Sequence, residues 1–133
     1  MNHYLFLSSN DSNLYFPNNE PTNFTIELNE NIYLPGLWKI SLAEIFFKDE
    51  ITEQLLICCD LCGDSIVRDQ KHAVLRLIPE QSPKNLCFKE PIELDISRDF
   101  IKRIRVYIRT MSFEKPTFLT NTLTCTIKLK RLL

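Results

Sequence analysis

Apolar residues recur at every second position in several separate segments of this chain. One side of each segment is apolar and the other is polar or charged, which is typical of half-buried β-strands. The segments that alternate in this way are residues 24–28, 92–96, 104–108 and 125–129. Other segments are apolar on both sides or mixed, as central strands or strands covered by another subunit are. They are residues 3–9, 34–47, 54–61 and 73–79.

These segments predict an all-β protein, an antiparallel β-sandwich of jelly-roll type with about eight strands. The 133 residues are enough for one core, so residues 1–133 are expected to form a single domain. Helical patterning is limited to a turn or two in residues 48–56 and in residues 97–104, where Ser97 is a candidate N-cap. An immunoglobulin-like sandwich is the alternative, although its Cys, Trp and Cys spacing is missing.

Composition excludes several classes of function. With two glycines in the chain and no glycine-rich motif, a phosphate-cradling loop is not expected. No apolar run approaches the roughly 20 residues that span a bilayer, and the first residues lack the pattern of a secretory signal. We therefore expect a protein of the cytoplasm or nucleus, with its five cysteines reduced.

Glu44 is the most unusual residue of segment 34–47. Regular alternation places it on the same side as Trp38, Leu42 and Phe46, where burial would raise its pKa and suit it to acid–base chemistry. No second carboxylate or histidine is patterned as its partner. The favoured interpretation is that the strand passes from buried to exposed near Glu44, or that Glu44 pairs with an arginine of the basic C-terminal strands.

The cysteines and histidines do not form a recognisable site. Cys59 and Cys62 make the one CxxC, but a zinc site needs a second pair or spaced histidines. His3 and His72 each stand alone, without a motif that supplies a nucleophile. We therefore predict core thiols, no metal, no cofactor and no enzymatic activity.

The charges are distributed unevenly along the chain. Residues 1–64 hold two of the 16 Lys and Arg but ten of the 17 Asp and Glu, and the C-terminal segment is basic. Its cations face outward on two predicted strands, where they are expected to meet the acidic N-terminal strands within or between subunits. Nucleic-acid binding is not favoured, because Tyr107 is the one aromatic residue on the arginine face. The candidate subunit-interface residues are Arg103, Arg105, Arg109, Lys128, Lys130, Arg131 and Glu44.

The N-terminal third resembles the opening of capsid proteins in Polinton/Maverick elements and their adintovirus and adomavirus relatives. The similar segment is YFPNNEPTNFTIELNENIYLPGLWKISLAEIFF, residues 15–47. Those proteins have a strand of the form g-x-W-x-(V/I)-x-L-x-E-I, and the matching residues here are Gly36, Trp38, Ile40, Leu42, Glu44 and Ile45. The closing segment FLTNTLTCTIKLKRL, residues 118–132, is similar to their last strand.

The resemblance implies a minor capsid (penton) subunit with a single jelly roll, which self-assembles at the vertices of an icosahedral DNA-virus capsid. Its partners would be copies of itself, with a pentamer as one form, and a major capsid protein, without membrane or nucleic acid. The implied location is the virion, and the host cytoplasm or nucleus during assembly. The acidic and basic ends would orient subunits in a head-to-tail ring.

Two alternatives remain open. The chain could be a fibre, cement or other accessory module of a virion. It could also be a non-enzymatic β-sandwich that binds a sugar, a peptide or single-stranded nucleic acid. That module would present a concave aromatic patch, and its candidate residues are Tyr15, Phe16, Tyr33 and Phe47.

Overall fold

The computed structural model describes residues 2–96 and 98–132, which form two antiparallel sheets packed face to face, with a small hairpin outside them. The strands are β1 (Asn2–Ser8), β2 (Asn23–Tyr33), β3 (Leu37–Phe46), β4 (Leu55–Cys59), β5 (Ser65–Val67), β6 (Gln70–His72), β7 (Val74–Ile78), β8 (Asn85–Cys87), β9 (Leu94–Asp95), β10 (Phe100–Thr110) and β11 (Thr124–Leu132). The protein is therefore an all-β sandwich, as the alternation predicts.

Strands of the two sheets pair in a nested order. One sheet, which we call the terminal sheet, has the order β1-β11-β3-β8, and the short strand β9 also pairs with β3. The other, which we call the basic sheet, has the order β2-β10-β4-β7. The first strand thus pairs with the last, β1 with β11, and the second with the last but one, β2 with β10. Inside these pairs, β3 pairs with β8 and β4 pairs with β7. Successive nested pairs alternate between the two sheets, and this order is consistent with a jelly roll.

All eight segments that the sequence indicated contain strands, although residues 92–96 supply only the two-residue strand β9. The short strands β5, β6 and β8 were not predicted. The predicted helical turns are wrong, since no described residue is helical: residues 48–54 are irregular, and residues 100–104 belong to β10. The proposed N-cap, Ser97, lies outside the described residues.

The core forms between the sheets because alternate side chains of each long strand point inward. In β10, Ile104, Val106 and Ile108 are fully buried, while Arg103 and Arg105 lie on the outer face. This separation of faces stabilises the sandwich, since burying one aliphatic side chain contributes about 1.5–3 kcal/mol.

Strand β4 is buried on both faces, which explains why its sequence shows no alternation. Leu55, Ile57 and Cys59 point into the main core, whereas Leu56 and Cys58 belong to a second, smaller cluster. That cluster lies on the outer side of the basic sheet and includes Val67 of β5, together with side chains of β7, β10 and the segment that follows β10. The β5–β6 hairpin thus contributes to a second layer over this part of the sheet.

Strand β3 contains a β-bulge that reverses which side chains face the core. Ile127 of β11 lies opposite Leu42, and the preceding Thr126 lies opposite Glu44, so Ala43 is an extra residue in the ladder. Before the bulge the buried apolar side chains stand at even positions, such as Leu42, and after it at odd positions, such as Ile45. Glu44 and Phe46 therefore do not continue the apolar row of Trp38, which was the less favoured interpretation, because an extra residue shifts the phase of a strand.

Candidate assembly surfaces

The outer face of the basic sheet carries the arginine row of β10. Arg103 Nε donates to Glu27 Oε2 on the adjacent strand β2 at 2.7 Å, so this arginine is paired within the subunit. The Arg103 side chain is exposed and that of Glu27 is partly buried, and a pair at the surface contributes about 0.2–1 kcal/mol. The expected pairing of basic C-terminal strands with acidic N-terminal strands is thus present at Arg103.

Arg105 and Arg109 bond to neutral groups. Arg105 Nε donates to Asn23 Oδ1 at 3.0 Å, and Arg109 Nη1 donates to the carbonyl of Ile108 at 2.8 Å. Their guanidinium carbons lie 4.3 and 5.2 Å from the ring centroid of Tyr107, which stands between them on the same face. The two arginines make no ion pair within the described residues. The pKa of Glu20 is nevertheless lowered first by a hydrogen bond from Lys115 and also, to a smaller degree, by the charge of Arg109.

The cations of β11 lie on the terminal sheet and its end. Lys130 Nζ is 3.4 Å from Glu93 Oε1, and Lys128 makes no ion pair within the described part of the chain. Arg131 is exposed, and its guanidinium lies against Gly36. These three residues and the β10 arginines are therefore on different sheets rather than on one continuous patch.

The nested strand order also changes how the charge gradient appears in three dimensions. The acidic strand β2 is adjacent to the basic strand β10, and β3 is adjacent to β11. Ion pairs such as Lys115–Glu20 and Arg98–Asp60 likewise join distant parts of the chain. The expectation of one acidic end and one basic end is wrong as a description of the subunit, because the first and last strands lie side by side.

Glu44 stands on the outer face of the terminal sheet, half-buried between two neighbouring strands. Its Oε1 accepts a hydrogen bond from Thr126 Oγ1 at 2.9 Å, and its Oε2 accepts one from the Cys87 thiol at 3.4 Å. The expected transition from buried to outer positions is present at the bulge. The alternative prediction, that Glu44 pairs with an arginine, is wrong, because its carboxylate accepts hydrogen bonds from a hydroxyl and a thiol instead.

The environment of Glu44 is an open groove of about 510 Å³. Exposed Phe6 and Phe46 lie on its rim, and Asp11 and Asn85 also line it. The hydrogen bond to Glu44 raises the pKa of the Cys87 thiol, because a protonated thiol is the donor in that bond. This thiol therefore remains protonated at neutral pH, which makes it a weak nucleophile.

The other four cysteines are buried and free, as predicted. Burial raises the pKa of Cys58 and of Cys125 to about 12, that of Cys62 to about 11, and that of Cys59 well above its ordinary value. Metal binding and disulfide exchange both require the thiolate, which burial disfavours here. These thiols act as small core residues.

The two histidines pack against aromatic rings. His3 stacks on Trp38 with the ring centroids 5.4 Å apart, and His72 stacks on Phe113 at 3.6 Å. Within residues 2–96 and 98–132, no three His, Cys, Asp or Glu side chains are grouped closely enough to hold a metal ion. The described residues also include no helix with the length and apolar character needed to cross a membrane.

The four aromatic candidates for a binding patch do not converge. Phe47 is 1% exposed and belongs to the main core. Tyr15 and Tyr33 are 71% and 70% exposed, but Tyr15 lies in the loop after β1 and Tyr33 at the end of β2. Phe16 lies 5.8 Å from the Arg103 guanidinium. The prediction of a concave patch formed by all four residues is therefore wrong.

Exposed aromatic residues that sequence reasoning missed lie on β1. Tyr4 and Phe6 are 50% and 75% exposed on the outer face of the terminal sheet, while Leu5 and Leu7 of the same strand are buried. In residues 3–9 the aromatic Tyr4 and Phe6 alternate with the aliphatic Leu5 and Leu7, so the sequence does distinguish the two faces. Both types of side chain, however, are apolar. Hydrophobicity alone therefore does not separate the two faces of this strand.

The residues that match the capsid motif have structural roles around β3. Gly36 adopts a φ of +88°, a conformation that favours glycine, and it precedes the strand. Trp38 Nε1 donates to the carbonyl of Pro35 at 2.9 Å, which fixes the indole beside this turn. Leu42 and Ile45 face the core on either side of the bulge. The motif thus forms a turn, a strand and a bulge rather than a reactive centre.

No family model matches the sequence, and comparison with curated proteins finds no match either.

Proposed function

We propose that this chain is a structural virion protein, a minor capsid or penton-like subunit that self-assembles at the vertices of an icosahedral DNA-virus capsid. The observation that carries the proposal is the nested strand order, in which β1 pairs with β11, β2 with β10 and β4 with β7. The proposed subunit is a single jelly roll, and this order is consistent with one.

The motif residues add a second line of support. Gly36, Trp38 and Leu42 build the start and the core face of β3, which pairs with β11, β8 and β9. Since these residues have structural roles, the resemblance to Polinton/Maverick capsid proteins concerns a shared fold rather than shared chemistry. We accordingly propose a protein without catalytic activity that is located in the virion. Its partners are copies of itself, with a pentamer as one form of the oligomer, and a major capsid protein.

The proposal assigns intersubunit contacts to the cations that lack a carboxylate partner within the described residues. Among the predicted interface residues these are Arg105 and Arg109 on the basic sheet, and Lys128 and Arg131 on β11 of the terminal sheet. Arg103 is a weaker candidate, because Glu27 already neutralises it. Carboxylates of a neighbouring subunit would steer the encounter and fix the orientation of the ring.

Light scattering on the purified protein at low salt tests this proposal. We expect a discrete oligomer larger than a dimer, which weakens as salt screens its ion pairs. Arg105→Glu together with Arg109→Glu should abolish this oligomer, while Arg103→Glu is the matched control with a smaller effect. Thermal unfolding of each variant shows whether the fold is retained. A double variant that assembles like the parent contradicts the assignment of these arginines, and a monomer under all conditions contradicts the capsid proposal.

A non-enzymatic binding module is the second candidate function. The exposed Tyr15 and Tyr33 favour it, since aromatic side chains that stand in water are available for stacking on a ligand. This module would be a monomer. Titration with oligosaccharides and single-stranded oligonucleotides, read out through loss of binding in Tyr15→Ala and Tyr33→Ala, separates it from the capsid subunit.

A further inference from the structure

The outer edge of β1 carries backbone groups that no strand of the described chain pairs with. Ser9 N donates to the carbonyl of Leu123, so the odd-numbered residues of β1 bond to β11. In an antiparallel pair these bonds alternate, and the even-numbered residues therefore point their N–H and C=O groups away from β11. Consistently, the N–H of Ser8 donates to Asp11 Oδ2 instead. Tyr4 and Phe6 thus present free donors and acceptors along the edge.

The other sheet edges are short, charged or covered. On β2, the Asn19 side chain bonds to both the N–H and the C=O of Thr25, and Ser12 Oγ accepts the N–H of Glu27. Strands β8 and β9 are only three and two residues long. Strand β7 carries Arg76, whose guanidinium donates to a carbonyl at residue 90. These are the features by which proteins prevent unwanted strand pairing.

Strand β1 lacks these features except at Ser8, whose outward N–H and C=O both bond to Asp11. Its sequence, NHYLFLS, contains no lysine, arginine, acid or proline, and its register with β11 is uninterrupted over seven residues. Tyr4 and Phe6 project from the outer face beside the free backbone groups. An uncharged edge with exposed aromatic side chains beside free backbone groups is a template for another strand.

We propose that β1 pairs in antiparallel orientation with β1 of a second copy of this chain, which joins the two terminal sheets into one continuous sheet. Free N–H groups must meet free C=O groups, so even-numbered residues must pair with even-numbered residues. A two-fold axis at Leu5 meets this condition. It places Tyr4 opposite Phe6 of the partner subunit, and Phe6 opposite Tyr4 of the partner subunit.

This register favours a second copy over an unrelated strand because the edge is complementary to itself. Each Tyr4–Phe6 pair brings two exposed aromatic side chains together across the interface, and such cross-strand pairs are stabilising. The pairing leaves no charge opposite a like charge, and it uses the free groups of Tyr4 and Phe6, while those of Ser8 remain bonded to Asp11. It is an isologous contact, distinct from the head-to-tail contact of the proposed ring and independent of it.

Two double variants with opposite charge patterns test the register. In Tyr4→Lys with Phe6→Glu, each new lysine lies opposite a glutamate of the partner subunit, so pairing is retained. In Tyr4→Lys with Phe6→Lys, each lysine lies opposite a lysine, which disfavours pairing. Both variants lose the same aromatic residues and change only exposed positions. Sedimentation velocity over a concentration series, up to roughly 1 mM, measures the dimer in each.

We expect a concentration-dependent dimer for the parent chain at high salt, where exposed ion pairs between subunits are screened. The dissociation constant of the Lys–Lys variant should exceed that of the Lys–Glu variant by roughly tenfold at low salt. Phe46→Lys, on the same sheet face but on β3, is the control and should leave the dimer unchanged. A parent chain that never dimerises, or equal dissociation constants for the two double variants, overturns the proposal.

These outcomes are separate from those that decide the proposed function. A salt-sensitive larger oligomer without a salt-resistant dimer supports the capsid subunit and overturns the β1 contact. A salt-resistant dimer that is weakened more in the Lys–Lys variant than in the Lys–Glu variant supports the β1 contact. If no larger oligomer forms, the same result contradicts the capsid proposal.

Discussion

Deletion of Ala43 tests the account of β3 directly. Ala43 is the extra residue of the bulge, and Leu42 and Glu44 lie opposite the consecutive residues Ile127 and Thr126 of β11. Removing Ala43 therefore leaves every cross-strand pair with β11 intact. The shortened strand alternates regularly, with Leu42 and Ile45 inside and Glu44 outside. We expect the variant to fold.

The cost of this deletion follows from the contacts of Ala43. Its carbonyl accepts the N–H of Phe88 at 2.9 Å, and losing this bond costs about 1 kcal/mol. Deletion of Ser41 is the matched control, because it also shortens the strand by one residue. To keep the register from Glu44 onward, the shortened strand must move Leu42 into the outer position of Ser41. Ala43 then takes the core position of Leu42. The deletion amounts to a buried Leu→Ala change, which costs about 2.7–5 kcal/mol.

Thermal unfolding followed by circular dichroism distinguishes these deletions. For a domain of this size, 1 kcal/mol lowers the Tm by roughly 4 °C. We therefore expect a decrease of about 4 °C on deletion of Ala43 and of roughly 10–20 °C on deletion of Ser41. Equal losses of stability, or a larger loss on deletion of Ala43, would refute the assignment of Ala43 as the extra residue.

Three further predictions concern side chains that the fold protects or positions. Glu44→Gln replaces the carboxylate that raises the Cys87 pKa with a neutral amide, which accepts a weaker hydrogen bond from the thiol. Labelling of this thiol by a disulfide reagent should therefore accelerate, with its pH midpoint below that of the parent; an unchanged midpoint contradicts the contact. Phe113→Ala opens the small outer cluster, so Cys58 should become reactive while the core thiols stay protected until unfolding, as mass spectrometry of labelled protein can show. Trp38→Phe removes the hydrogen bond to Pro35 and should lower stability by about 1 kcal/mol in urea unfolding, with the fold retained; no change contradicts a role for that bond.

The alternating strands were predictable from sequence because one face of each strand packs in the core and the other faces outward. In β10, the core-facing residues Ile104, Val106 and Ile108 are all aliphatic, while the other face carries arginines. The β5–β6 hairpin was not predictable in this way. Its turn residues, Arg68 and Asp69, have φ values of 48° and 67°, yet they lack the Asn-Gly or Asp-Gly signal of such turns.

The candidate site was harder to predict than the fold. The phase change in β3 is visible in hindsight, since apolar residues pass from even to odd positions at Ala43, but the pattern alone also allows a continuous row. Which charged side chains become neighbours depends on the order of the strands in each sheet, and the periodicity of the sequence does not determine that order. Glu27 therefore became the partner of Arg103, while Glu44 bonded to Thr126 instead of an arginine.

The pairing of β1 with β11 has a consequence for biosynthesis. Strand β1 leaves the ribosome before its intramolecular partner β11, which is synthesised roughly ten seconds later. During this interval the nascent chain exposes both edges of an apolar strand, and neighbouring polysomal chains expose the same one. Chaperone binding to residues 2–8, or slow closure of the sheet after release, would then limit the yield of native subunits.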